Sequence, residues 1–383
     1  MKKWCLLLSK RLGILLLFLI MIAVFCGCST YAKGKLIELH FVQTQLGDPI
    51  ALNENEIFYP GGGYNIARDS YDTAKIYNVK KQKLIDTGQV MNVVRHSYGT
   101  LKYDDNNILI VGGFCNAKHH PSRGCERVAE IYNIKDNKFT RISDTNLSYI
   151  NPQMSRLKNG KVFILSNIQF ELFDPLTNKF SVPAKRGKYR DWEQRYIYTL
   201  HDYSSSEFYE LNPDEILILG FQMKEKLPAY DNIAMEILNL KTKKSANLPV
   251  DYSKLSYRNR GTRIQLDDGS ILFIGAGLDK KDVIKLDAKT KQFTYYNRLS
   301  KPLCGQGIRF NQNLVFFFRG VLDDPDYIKT TVLDRAVYDY KNNKIYDWHK
   351  TLSKKNEHWS ILKLNEDTII ISVFKNNLLL YKY

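Results

Sequence analysis

The residues with the most chemical potential in this chain are cations and histidines that recur just ahead of short apolar strands. Arg95 and His96, Arg258, Arg260 and Arg263, Gln306 and Arg309, and His358 all stand in that position. Guanidinium groups brought together from separate segments would focus positive potential on a carboxylate, sulfate or phosphate carried by a sugar or peptide. Arg95, His96, Arg260, Arg263, Arg309 and His358 are therefore the candidate ligand-binding set. Acid–base chemistry would need a His or Tyr base within reach of an acid. His96, His358, Glu357 and Tyr98 are the ingredients, with no local spacing that links them. No catalytic residue is nominated, and the sequence points to no cofactor. His119 and His120 are adjacent, but no HxxxH or CxxC spacing occurs, so no metal site is expected.

Other stretches suit contact rather than catalysis. Residues 186–209 (RGKYRDWEQRYIYTLHDYSSSEFY) are dense in Tyr and Arg and include Trp192, a composition suited to sugar stacking or protein contact. The segment 321–334 holds Asp323, Asp324, Asp326 and Asp334, but not the spacing of a calcium loop.

The elements that must position these groups begin after residue 30. Lys2, Lys3, Lys10 and Arg11 precede an apolar run from Leu12 to Phe25, which suits the core of an export signal and is short for a membrane span. Gly27-Cys28-Ser29 at its end resembles the lipobox of bacterial lipoproteins. That resemblance implies a signal peptide over 1–27, acylation (palmitate) of Cys28 and a tether over 28–34. Phe25 stands where the family usually has Leu or Val. The body would then lie at the bacterial cell envelope, membrane-anchored and facing the periplasm or the exterior. In such a compartment Cys115 and Cys125, ten residues apart, are candidates for a disulfide.

A net charge of +16 favours anionic partners, such as an anionic glycan or a membrane surface. Nucleic acid is not expected, because the export signal and the lack of any nucleic-acid motif speak against it. Apolar residues make up 44% of the 383, enough for a substantial core.

Seven apolar strands, marked by Ile57, Leu109, Val162, Ile216, Ile271, Val315 and Ile369, recur roughly every fifty residues. Each is preceded by a strand and a polar turn and followed by further strands. In the clearest copy, Ile108 to Val111 runs into Gly112-Gly113, with Glu130-Ile131-Tyr132-Asn133 beyond. A second copy has Ile57 to Gly63 with Ile76-Tyr77-Asn78. No segment carries the apolar stripe of a three-turn helix. On these motifs the chain resembles a kelch-repeat β-propeller of the kind that forms the central domain of galactose oxidase. The typical repeat Trp is missing, and only the first two units keep a full glycine pair.

The resemblance implies an all-β, seven-bladed propeller over 35–383. Its units lie near 49–86, 97–142, 154–182, 205–249, 260–296, 307–347 and 359–381. The last unit lacks an outer strand, and residues 35–42 are expected to supply it and so close the ring. Function is read as a membrane-anchored module binding a protein or glycan, more a binder than an enzyme. The alternative is a sugar-modifying enzyme, mutarotase- or lyase-like, on the same propeller. A copper-radical oxidase would require two His ligands and a Tyr linked to Cys304, the one cysteine left over.

Overall fold

A computed structural model describes residues 35–40, 49–61, 73–115, 125–166, 169–182, 207–222, 232–248, 262–277, 279–301, 303, 306–318, 335–348, 359–373 and 377–382. The described strands form seven antiparallel four-stranded sheets and one two-stranded ladder. Six sheets are each contiguous in sequence. In the first, Ile50–Asn53, Glu56–Tyr59, Lys75–Asn78 and Lys83–Asp86 pair in chain order. We number these six as blades 1 to 6.

The seventh sheet is composite: Trp359–Asn365, Thr368–Val373 and Asn377–Lys382 are joined at the outer edge by Lys35–His40. The register runs from Lys35 opposite Lys382 to His40 opposite Asn377. The expectation of a seven-bladed ring closed by strand pairing is corrected here. The chain makes six contiguous blades, and no ladder among the described residues joins one four-stranded sheet to another. By hydrogen bonds the ring is open. Packing alone brings the first blade to the composite sheet, through Ile57, Tyr59 and Tyr77 against Ile370 and Leu380. The physical reason is that each outer-strand pairing is spent within its own sheet.

The core follows the same plan. The second strand of a blade has neighbours on both faces, so it is apolar throughout, as in Ile271–Ala276, buried along its whole length. Side chains from two successive blades make one apolar layer. Leu109, Val111 and Ile131 meet Val162, Ile164 and Phe173, and Leu217 and Met235 meet Ile271 and Phe273.

The first strand of each blade is innermost, and the innermost strands of blades 1 and 2, 2 and 3, and 5 and 6 lie side by side. Every blade repeats the same up-and-down order. The start of each inner strand and the loop after each second strand therefore lie at one end of the ring. The turn between the first and second strands and the turn between the third and fourth lie at the other.

The turn between the third and fourth strands has one chemical form in all six contiguous blades. An Asn or Asp opens it, and its side chain accepts a backbone N–H inside the turn, as Asn78 does from Lys81 and Asp339 from Asn342. Four residues later the chain enters the left-handed region, at Gln82, Asn137, Asn178, Lys243, Lys291 and Asn343. Gly112 and Gly113 are different. Both have positive φ (72° and 100°), and a Cβ at either would overlap a carbonyl oxygen, of Tyr149 and His96 respectively.

Candidate functional site

The candidate residues arrive at the structure separately paired. Arg95 is buried, and its guanidinium makes an ion pair with Glu130 and donates to the Val93 carbonyl at 2.8 Å. Glu130 also accepts from the Asn92 amide and side chain, both at 2.8 Å, and from the Val93 amide at 3.1 Å. This carboxylate ties the strap that enters blade 2 to the third strand of that blade. Glu171 repeats the device one blade later, accepting from Asn146 (backbone 3.1 Å, side chain 2.8 Å) and from the Leu147 amide at 2.6 Å.

His96 is half-buried next to Arg95. Its Nδ1 lies 3.0 Å from the Ser97 hydroxyl, its ring packs on Phe114, and burial lowers its pKa. Arg95 and His96 pair with Cys115 and Phe114 in a two-residue ladder, and a disulfide joins Cys115 to Cys125. Cys125 packs with Val93 and Val128, so the bridge anchors this ladder over the Arg95–Glu130 pair.

Arg309 turns to the opposite end of the ring and forms a two-pronged pair with Asp267, at 2.7 and 2.9 Å. Arg263 pairs with Glu207. None of these arginines is hydrogen-bonded to another among the described contacts. Cys28, Arg260 and His358 lie outside the described residues, as do Arg258, His119, His120, Glu357, residues 186–206, the 321–334 segment and Cys304.

Arg263 sits in the constellation with the most chemical capacity. The inner strand of blade 4, Glu207–Asn212, alternates, so Phe208 packs towards blade 3 while Glu207 and Tyr209 face blade 5. Arg263 reaches back from the inner strand of blade 5, Thr262–Gln265. Its Nε donates to Glu207 at 2.7 Å and its Nη2 at 2.8 Å, while the Tyr209 hydroxyl donates to the same carboxylate at 2.9 Å.

The Arg263 side chain is 13% exposed and that of Glu207 31%, and both carboxylate oxygens are engaged by Arg263. Burial would raise the Glu207 pKa, but the charge and hydrogen bonds of Arg263 outweigh it and hold the carboxyl below its usual range. Burial and the Glu207 charge push the Tyr209 phenol well above its ordinary value. The result is a carboxylate biased towards its ionised form beside a phenol biased towards keeping its proton.

Glu207 and Tyr209 were not in the sequence-level set. They end the aromatic stretch 186–209, and the Glu-Phe-Tyr-Glu alternation was the available signal that both share one strand face.

No family model and no curated protein matches the chain. Two solved structures are similar in fold. One is a novel fungal alcohol oxidase of the AA5 family in complex with copper, with 14% identity, covering 92% of this chain and 76% of that one, at a TM-score of 0.61. The other is virginiamycin B lyase from Staphylococcus aureus, with 10% identity, covering 92% of this chain and 100% of that one, at a TM-score of 0.52. Copper belongs to the alcohol oxidase complex; among the described residues of this chain no three His, Cys, Asp or Glu side chains gather as a metal site. Both neighbours are enzymes, which corrects the expectation that such a chain is more a binder than an enzyme: this fold carries catalysis in both. The chain has a β-propeller fold resembling the galactose oxidase and kelch class.

Proposed function

We propose that the protein is an enzyme that modifies an anionic sugar at the end of the ring where the inner strands begin, held at the bacterial cell envelope by a lipid on Cys28. The observation that carries this reading is the Glu207–Tyr209–Arg263 constellation. An ionised carboxylate accepts a sugar hydroxyl and can take its proton. A phenol held protonated beside it is suited to return a proton to the ring or leaving-group oxygen. Arg263 keeps Glu207 ionised and aimed, and the chain's positive charge favours a substrate bearing carboxylate or sulfate. A mutarotase- or lyase-like proton transfer asks for this combination. The two enzymes that share the fold support the catalytic side of the reading, while their own substrates are not transferred.

The test is turnover of a panel of uronate-containing and sulfated saccharides by the full chain, followed by NMR for anomer exchange and for unsaturated products. Glu207→Gln and Tyr209→Phe should each lower kcat/KM by about 10²–10⁴-fold. The activity of the parent should be lost as pH falls through the depressed pKa of Glu207. Equal turnover by parent and both variants, or no turnover of any saccharide by the parent, removes the reading.

A further inference from the structure

The end of the ring opposite the candidate site carries an ordered set of charges. The six contiguous blades share the turn between third and fourth strands described above, and its third position is Lys80, Lys135, Lys241, Lys289 or Lys341 in five of them. Its sixth position is Lys83, Lys138, Lys179, Lys244 or Lys344, again in five. All ten are exposed. None of them enters a described ion pair. The composite sheet has no such turn, but its register brings Lys35 opposite Lys382 at this same end, and Lys382 is exposed. The outer rim is thus basic on every blade.

Acidic residues lie nearer the axis, in the turns between first and second strands, and four of them are ion-paired. Asp267 pairs with Arg309, Asp268 with Lys285, Glu215 with Lys291 and Glu366 with Lys363. Asp104 accepts two backbone amides of its own turn. Glu54, Glu56, Asp105, Asp214 and Asp367 in these turns enter no described ion pair, so the lysines are the outer, basic band of this end and not its whole charge.

Two further observations select the partner. In blade 3 the third turn position is Leu176, whose side is 95% exposed, the most open of the large apolar residues described. A leucine among lysines fits an interface with an apolar interior beneath an anionic surface, and adds nothing to binding a soluble polyanion. The chain also enters the propeller here. The strand Lys35–His40 begins at the rim, seven residues after Cys28, and seven extended residues span only about 25 Å.

We propose that the lysine rim and Leu176 rest on an anionic lipid bilayer, so that the candidate site faces away from the membrane. This rests on the lipid anchor of the proposed function and is independent of catalysis. Lysines at an anionic surface attract individually and additively, and salt screens them.

The test measures binding of the full chain, and of its Cys28→Ala form, to sedimented vesicles of phosphatidylcholine or of equal parts phosphatidylcholine and phosphatidylglycerol. The mixed vesicles should bind at least about tenfold more tightly, and high salt should erase the difference. Combining Lys80→Glu, Lys241→Glu and Lys341→Glu should abolish that advantage with an unchanged unfolding temperature. Leu176→Ser should weaken mixed-vesicle binding and leave heparin binding unaltered. A triple variant that binds mixed vesicles like the parent overturns the proposal. So does a triple variant that loses heparin while Leu176→Ser binds mixed vesicles like the parent, which would assign the rim to a soluble polyanion. If the full chain and Cys28→Ala bind phosphatidylcholine equally, the anchor fails, and the comparison between the two lipids still decides the rim.

Discussion

Glu130 carries more of blade 2 than its single charge suggests. It satisfies two backbone amides, an Asn side chain and a buried guanidinium at once. Removing it would strand Arg95 as an unpaired charge in a site with 1% exposure, where the loss of one partner costs about 3–5 kcal/mol. Glu130→Ala should therefore lower the free energy of unfolding by that amount in urea titration. Glu171→Gln faces only neutral donors and keeps one carbonyl oxygen, so its cost should be about 1–2 kcal/mol. Equal losses for the two variants would show that the guanidinium is not what makes the first site demanding. Arg95 was legible in the sequence as a cation before an inner strand. Its partner was not, because Glu130 lies 35 residues away and its own strand reads as ordinary alternation.

At the scale of elements, the second strand of blade 2 and its glycine pair show how a local motif depends on a distant carbonyl. Gly113 has a φ of 100°, and an added Cβ would meet the His96 carbonyl oxygen, so both conformation and space demand glycine. Gly113→Ala should cost more than the roughly 1 kcal/mol of an ordinary Gly-to-Ala strain and lower the unfolding temperature by several degrees. Gly160, also at positive φ, has no atom within 4 Å of an added Cβ and should show only the conformational part in the same calorimetric scan. The Cys115–Cys125 bridge closes a loop of ten residues next to this pair. Its reduction should remove about 2–3 kcal/mol, read as a shift in denaturation midpoint with and without dithiothreitol. The glycines could be found in the sequence because Gly-Gly after a continuous apolar strand marks a close backbone approach. What they approach could not.

For the whole molecule, the composite sheet matters most. Lys35–His40 covers the edge of Asn377–Lys382, and six residue pairs hold it there. Deleting residues 35–40 would leave that edge open beside an apolar interblade layer. The truncated protein should unfold at lower temperature and self-associate in light scattering, while a chain in which the strand contributes nothing would remain monodisperse. The packing of blade 1 on the composite sheet also explains why the ring needs no hydrogen bond between blades: apolar layers are non-directional and tolerate the small variations in spacing between units.

The sequence by itself determined the strand content, the repeat and the position of the turns, since these follow from near-neighbour chemistry: alternation, continuous apolar runs, and Asn, Asp and Gly where the chain reverses. The pairing of the first strand with the last was readable too, because an unpartnered strand and a unit short of one strand sit at opposite ends of the chain. The charge relations were decided only in three dimensions. Arg263, Arg309 and Arg95 read as free cations awaiting a ligand, yet each found a carboxylate on another strand or another blade, at Glu207, Asp267 and Glu130. Side-chain charges meet across blades some fifty residues apart, and which cation meets which anion depends on register and blade order rather than on local spacing. For that reason the fold was largely legible, while the Glu207–Tyr209–Arg263 constellation emerged only where side chains of successive blades meet.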